Sequence, residues 1–266
     1  MFAFRYCGKI AQSPCYKVLS TKYGTTKPRA IREGKWHWLT GASMNPPVDT
    51  FVAPVCREQI EVLFHDEHIL LVNKPSGLLS LSGKNPLNRD SVHFRLVQRF
   101  ATATLVHRLD FGTSGIMVLA LSKPVNAHLT KQFQNRTVVK TYESVLDGSL
   151  ACDSGFIDKP VAKDKPNFPL QKICYENGKS AVTRYQVLER VANHTRTRVL
   201  FTPETGRTHQ LRIHSREIGH PILGCDLYGS RQTHARASRL LLHAVTLEFD
   251  HPVSGARIMG KCPCPF

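Results

Sequence analysis

The sequence predicts an α+β fold built on a mixed, largely antiparallel sheet. Three observations carry that prediction. From Glu61 onward, short runs rich in branched and aromatic residues recur between turn-forming residues. Only a few stretches show apolar residues at helical spacing. The two kinds of segment do not alternate regularly, as a chain of parallel βαβ units would require. The 266 residues suffice for one large domain or two small ones. With 41% hydrophobic and 21% charged residues, the composition is that of a soluble globular protein.

The elements follow in order. EVLFHDEHILLVNK, from Glu61, gives two apolar runs around His65-Asp66-Glu67-His68 and reads as a hairpin. KPSGLLSLSG is a loop punctuated by Pro75 and Gly77. DSVHFRLVQRF reads as a helix capped by Asp90 or Ser91, with Val92, Leu96, Val97 and Phe100 on one face. A strand-like run then ends at His107, and a second, wholly apolar run covers Ile116 to Leu121. Ser122 can cap a helix over KPVNAHLTKQF, with Val125, Leu129 and Phe133 on its buried side. VVKTYESVL returns as a strand, and residues 148–180 look like a basic, irregular insert. AVTRYQVL and TRTRVLF are strands; Arg196 and Arg198 share one face of the second. In TGRTHQLRIHSREIGH, Thr208 can cap a helix with Leu211, Ser215 and Ile218 inward and Arg212 and Arg216 on another face. LLLHAVTLEF is a last strand before the turn at Asp250-His251-Pro252.

Charge narrows the partners. The net charge is +16, which suits a polyanion, nucleic acid first. No apolar run approaches the roughly 18 residues that span a bilayer, so no membrane partner is expected. Eight cysteines without a secretory leader or a C-x-x-C pair point to reduced thiols in the cytoplasm. Their spacing, and that of His209 and His214, fits no usual metal site, so no metal is expected. Residues 1–43 carry eight Lys or Arg and one acid. They read as a basic arm for RNA, as a targeting peptide, or as an upstream extension before a start at Met44. The expected organisation is an N-terminal extension over residues 1–55 and a catalytic domain over 56–266.

One stretch concentrates chemistry. In VHRLDFGTSGIMVLALS, Val106 to Ser122, a carboxylate at Asp110 interrupts two apolar runs. Such a group must be paired, hydrogen-bonded or used. Asp110 either caps the following turn through Thr113 or Ser114, or it is catalytic.

HRLDFGTSGIMVLA resembles the HRLD-x-x-TSG-x-x-x-x-A signature of the RluA-type pseudouridine synthases. NKPSGLLS, KTYESVLDG, GRTHQLRIH, GHPILG and RLLLHA follow the order of that family over roughly residues 60–260. The resemblance implies a central sheet in two halves with the active cleft between them, and isomerisation of uridine in RNA without a cofactor. It matches Asp110 to the catalytic aspartate, acting either as a nucleophile or as a base at C2′. It matches Tyr142 to the tyrosine that stacks on the base and is the usual candidate for taking the C5 proton. Arg212 matches the arginine that pairs with the aspartate, and Arg108 the side chain that fills the flipped nucleotide's place. His107 reads as a structural, half-buried strand-end residue or as a further RNA contact, and Lys74 and Arg207 are RNA-contact candidates expected on phosphate.

The short N-terminal region, which lacks the small RNA-binding S4 domain of many members, resembles the dual-specificity branch of the family. That branch acts on 23S rRNA and the anticodon stem-loop of tRNA, and a monomer is expected. Cys225, directly after GHPILG, departs from the pattern where an acid is expected; Asp226 follows it. Two other classes compete: a non-catalytic RNA-binding or ribosome assembly factor of the same fold, and a hydrolase using Asp110 as base. The second lacks a G-x-S-x-G elbow or a second placed carboxylate.

Overall fold

The last long strand of the chain holds the sheet together. The computed structural model describes residues 51–191 and 195–266. Twelve strands and four helices follow one another there: β1 (Glu61–His65), β2 (Ile69–Lys74), α1 (Val92–Val97), β3 (Thr104–Leu105), β4 (Ser114–Ala120), α2 (Lys123–Gln134), β5 (Val139–Asp147), β6 (Ser154–Asp158), β7 (Val161–Lys163), β8 (Gln171–Ile173), β9 (Val182–Val191), β10 (Arg196–Pro203), α3 (Gln210–Glu217), α4 (Arg231–Ala235), β11 (Leu242–Asp250) and β12 (Arg257–Lys261). The main sheet runs β1-β2-β4-β11-β5-β10-β9-β6, with β12 beside β11 and β3 beside β4. The fold is α+β as expected.

β11 lies between β4 and β5 and joins the two halves. It pairs antiparallel with β5 and parallel with β4, through His243↔Ser114 and Ala244↔Gly115. The other strand pairings are antiparallel. One core gathers Ile69–Val72, Ile116–Ala120, Val125 and Leu129 around the first half. The other gathers Leu146, Ile157, Val199, Phe201, Ile213 and Ile222 around the second. Gly115, at φ +115°, makes the seam possible, because a β-carbon there would overlap the backbone oxygen and nitrogen of Ala244.

The hairpin of β1 and β2 is present, its turn closed by Asp66 accepting from the N–H groups of His68 and Ile69 at 2.7 and 2.8 Å. Ser91 caps α1 by accepting from Phe94 N–H at 3.1 Å, while Asp90 pairs with Arg95 instead. Ser122 precedes α2 without a side-chain cap; Pro124 in the first turn supplies the constraint. The stretch 148–180 is more regular than expected. It holds β6, which extends the main sheet, and a separate hairpin of β7 and β8. The hairpin of β11 and β12 was also not expected.

The expected extension, residues 1–55, lies outside the described residues up to residue 50. Residues 51–55 belong with the domain: Ala53 N–H donates to Asn88 Oδ1 at 2.8 Å, Asn88 Nδ2 donates to the Phe51 carbonyl at 2.7 Å, and the Phe51 ring packs edge-on against Phe111.

Candidate active site

The turn that carries Asp110 is fixed from behind by the loop after β2. Leu109 is buried, and its N–H and carbonyl both bond Ser80 Oγ, at 3.1 and 2.7 Å. Ser76 Oγ donates to the Gly112 carbonyl at 2.7 Å, and Gly77 N–H to the Phe111 carbonyl at 2.9 Å. The turn itself closes through the backbone, Thr113 N–H donating to the Asp110 carbonyl at 3.1 Å. The Asp110 side chain takes no part: among the described residues its carboxylate has no hydrogen bond or ion pair. Ser114 Oγ instead meets His243 Nδ1 at 2.7 Å, and Thr113 Oγ1 is buried without a partner. The turn-capping reading of Asp110 is therefore set aside.

Asp110 lines a cavity of about 110 Å³, with Arg108, Thr113, Lys140, Tyr142, Arg207, His209 and Arg212. That space far exceeds the one-probe volume that a single water needs. Tyr142 comes from β5, paired with Phe201 of β10 and Ala244 of β11. Its phenol is pushed above its ordinary range by burial and by the negative charge of Asp110, so it holds its proton.

Arg212 reaches the site from α3 and is only 4% exposed. Its direct partners differ from the expected one. It is ion-paired with Asp226, and its Nε and Nη2 lie 3.4 Å from Cys225 Sγ. Asp110 adds to its field without a contact. Burial opposes the charge, but Cys225, Asp226 and Asp110 outweigh it, and the guanidinium is held above its usual range. The Tyr228 ring lies beneath Arg212 at 5.4 Å.

The start of α3 also differs from expectation. His209, not Thr208, is the cap residue; it has φ 56° and makes no capping bond from its side chain. Gln210 organises the preceding loop instead. Its Oε1 accepts from Arg207 N–H at 2.9 Å and Thr205 Oγ1 at 2.8 Å, and its Nε2 donates to the Val182 carbonyl at 3.0 Å. Residues Gln210–Ser215 are all buried, so Arg212 and Arg216 do not share an exposed face; Arg216 alone is exposed. The Tyr228 hydroxyl bonds His209 Nδ1 at 2.8 Å and accepts from Gln171 N–H of β8 at 2.8 Å, tying the hairpin to this loop.

Lys74 has other work than a phosphate contact, and His107 is structural, the first of its two readings. Lys74 is fully buried, and its Nζ donates to the carbonyls of Leu78, Pro75 and Phe111 at 2.6, 2.8 and 3.2 Å. Enclosed in this way it cannot meet a phosphate; it braces the Asp110 turn. His107 Nε2 accepts from Val118 N–H at 3.1 Å, and its ring stacks on Phe133 at 4.7 Å. Burial and the charge of Lys140 bring its pKa down to about 3, so it is a neutral structural group. Arg108 is exposed at the cleft, and Arg207 is half-buried with its Nε on the Ser180 carbonyl at 3.0 Å. Sequence reasoning missed Lys140, Gln210 and Tyr228. Only Lys140 carried a signal: it stands two residues before Tyr142 on a strand, hence on the same face.

Residues 68–217 match the RNA pseudouridylate synthase family. The chain belongs to that family. It is an isomerase, converting uridine in RNA to pseudouridine. A protein of Yersinia pestis named dual-specificity RNA pseudouridine synthase RluA is 50% identical over 205 residues, covering 77% of this chain and 99% of its own. The protein of that name from Haemophilus ducreyi is 47% identical over 213 residues, 79% and 92% of the two chains. The structure of human RNA pseudouridylate synthase domain containing 1 superposes with a TM-score of 0.68 at 29% identity, over 80% of this chain and 86% of that one.

Pseudouridine formation breaks a C1′–N1 bond and makes a C1′–C5 bond. The synthase cleft offers a carboxylate with free lone pairs, a protonated phenol and a buried cation held in place by partners of its own. Among the described residues no group of three or more His, Cys, Asp or Glu could hold a metal ion. No helix there is long and apolar enough to cross a membrane.

Proposed function

We propose that this synthase modifies uridines in ribosomal RNA and in the anticodon stem-loop of tRNA, working as a monomer in the cytoplasm. The dual specificity in the names of its relatives, which align over nearly their whole length, supports the target choice. The net charge of +16 and the reduced state expected of its cysteines accord with it. Its catalytic domain occupies residues 51–266, and the basic residues before it supplement RNA binding.

Asp110 is the catalytic group. The observation that carries this is its carboxylate, unengaged by the turn that holds it, in one cavity with Tyr142 and Arg212. Either attack at C1′ or deprotonation at C2′ fits such a group. Arg212 stabilises the carboxylate's charge at a distance while Asp226 and Cys225 hold the guanidinium. Tyr142 stacks on the base. The charge of Asp110 is one cause of the phenol's raised pKa, so loss of that charge lets the phenol give up its own proton more readily, and the C5 proton can be taken only after that proton has left. Arg108 occupies the place of the extruded nucleotide, and Arg207 meets phosphate.

Tritium release from C5-labelled uridine in a stem-loop tests the assignment. Asp110→Asn should lower the rate at least about a thousandfold, roughly 4 kcal/mol in barrier. RNA affinity and thermal stability should change little. Substantial release by a folded Asp110→Asn variant would remove Asp110 from the chemistry.

A further inference from the structure

Four cations and one carboxylate line the cleft: Arg108, Lys140, Arg207 and Arg212 against Asp110. Arg212 is matched by Asp226, and Arg207 has the Ser180 carbonyl. Arg108 is exposed, so water satisfies it. Lys140 is different. It is half-buried on β5, and among the described residues its ammonium has no hydrogen bond or ion pair. Burial holds its pKa below the usual lysine range. The contrast with Lys74 is direct, since there the protein supplies three carbonyls to a buried ammonium. An ammonium taken from water and left unanswered is costly, and such groups persist where a ligand answers them.

We propose that Lys140 binds the phosphodiester adjoining the flipped uridine. Its position on the strand supports this. Lys140 and Tyr142 point to the same side of β5, about 6.6 Å apart along it. With the base stacked on Tyr142, Lys140 reaches the backbone of the same nucleotide. Gly206 lies close by: a β-carbon there would stand 3.8 Å from the Lys140 Nζ, in ordinary contact with it, and glycine places only hydrogen there. Arg207 follows directly in the chain. A neutral base gives this surplus of positive charge no partner, whereas the substrate's phosphates do. The proposal rests on a uridine seated over Asp110, which the Asp110→Asn rate tests separately.

The test uses stem-loops in which the linkage 5′ or 3′ of the target uridine is a neutral methylphosphonate, with KM and kcat read by tritium release. For the wild-type chain, one of the two linkages should raise KM about tenfold or more, with kcat within about threefold. Lys140→Met should raise KM by a similar factor on all-phosphate RNA and lose little more on that methylphosphonate RNA. Its slope of log affinity against log salt should be shallower by about 0.7. Lys140→Arg should recover most of the affinity. Equal methylphosphonate penalties in wild type and Lys140→Met would overturn the proposal. So would a loss confined to kcat, which would assign Lys140 to charge developing on the uracil. If Lys140→Met does not fold, a wild type indifferent to both methylphosphonates overturns the proposal equally, and sensitivity to one, kept in Lys140→Arg, supports it.

Discussion

The Lys74 ammonium donates to three backbone carbonyls, and two of them, those of Pro75 and Leu78, have no other donor among the described hydrogen bonds. Replacing it with Met should orphan both, at about 1–3 kcal/mol each, against which the relief of a buried charge is set. A brace and a phosphate contact predict different kinetics. Lys74→Met should lower kcat by loosening the Asp110 turn, and should leave RNA affinity and its salt slope unchanged; steady-state kinetics at several salt concentrations decide. The pH dependence has a definite sign. Burial brings the folded pKa of Lys74 down to about 7, with Asp110 acting in the opposite sense. Between that value and the ordinary lysine range the unfolded chain binds more protons, so stability rises with pH across this window. Chemical denaturation from pH 6 to 10 should show the rise in wild type and a flatter profile in Lys74→Met. The sequence made Asp110, Tyr142 and Arg212 legible because fixed motifs surround them. It misassigned Lys74, since carbonyls gathered by a loop leave no mark in residue types. Arg212's direct partner was likewise hidden, because α3 faces residues 225 and 226 only in three dimensions.

Among the elements, the β4–β11 seam depends on one residue. Gly115 has φ +115°, and an added β-carbon would sit 2.5 Å from the Ala244 nitrogen and closer still to its oxygen. Gly115→Ala should destabilise the protein by about 3 kcal/mol or more, through backbone strain and overlap together. Activity should fall with it, because the seam sets the Asp110 turn against the Tyr142 strand. Urea unfolding monitored by tryptophan-independent circular dichroism measures the first effect, and tritium release the second. Strands with a continuous apolar run, such as β4, and the β1–β2 hairpin were readable from pattern alone. The strands within residues 148–180 were not. β7 and β8 have three residues each, too few for alternation to register. The start of α3 was misplaced by one residue because Gln210 bonds the loop from within the helix, work usually done by a cap.

For the whole molecule, positive charge governs the encounter with RNA. The net charge is +16, of which residues 1–43 contribute +7. Log affinity plotted against log salt should fall steeply, and a chain beginning at Met44 should give a shallower slope with kcat within about threefold. A flat plot for the full chain would contradict a phosphate-facing surface. The α+β class was legible because strand-like segments outnumber helical ones, but strand order was not: no local pattern tells that residues 242–250 come to lie between residues 114–120 and 139–147. That order has a consequence for synthesis. A chain emerges from the ribosome N-terminus first, at about 5–20 residues per second. Each half-sheet can begin to collapse on its own core, yet the pairing that sets the Asp110 turn beside the Tyr142 strand requires residues 242–250, which are made after both.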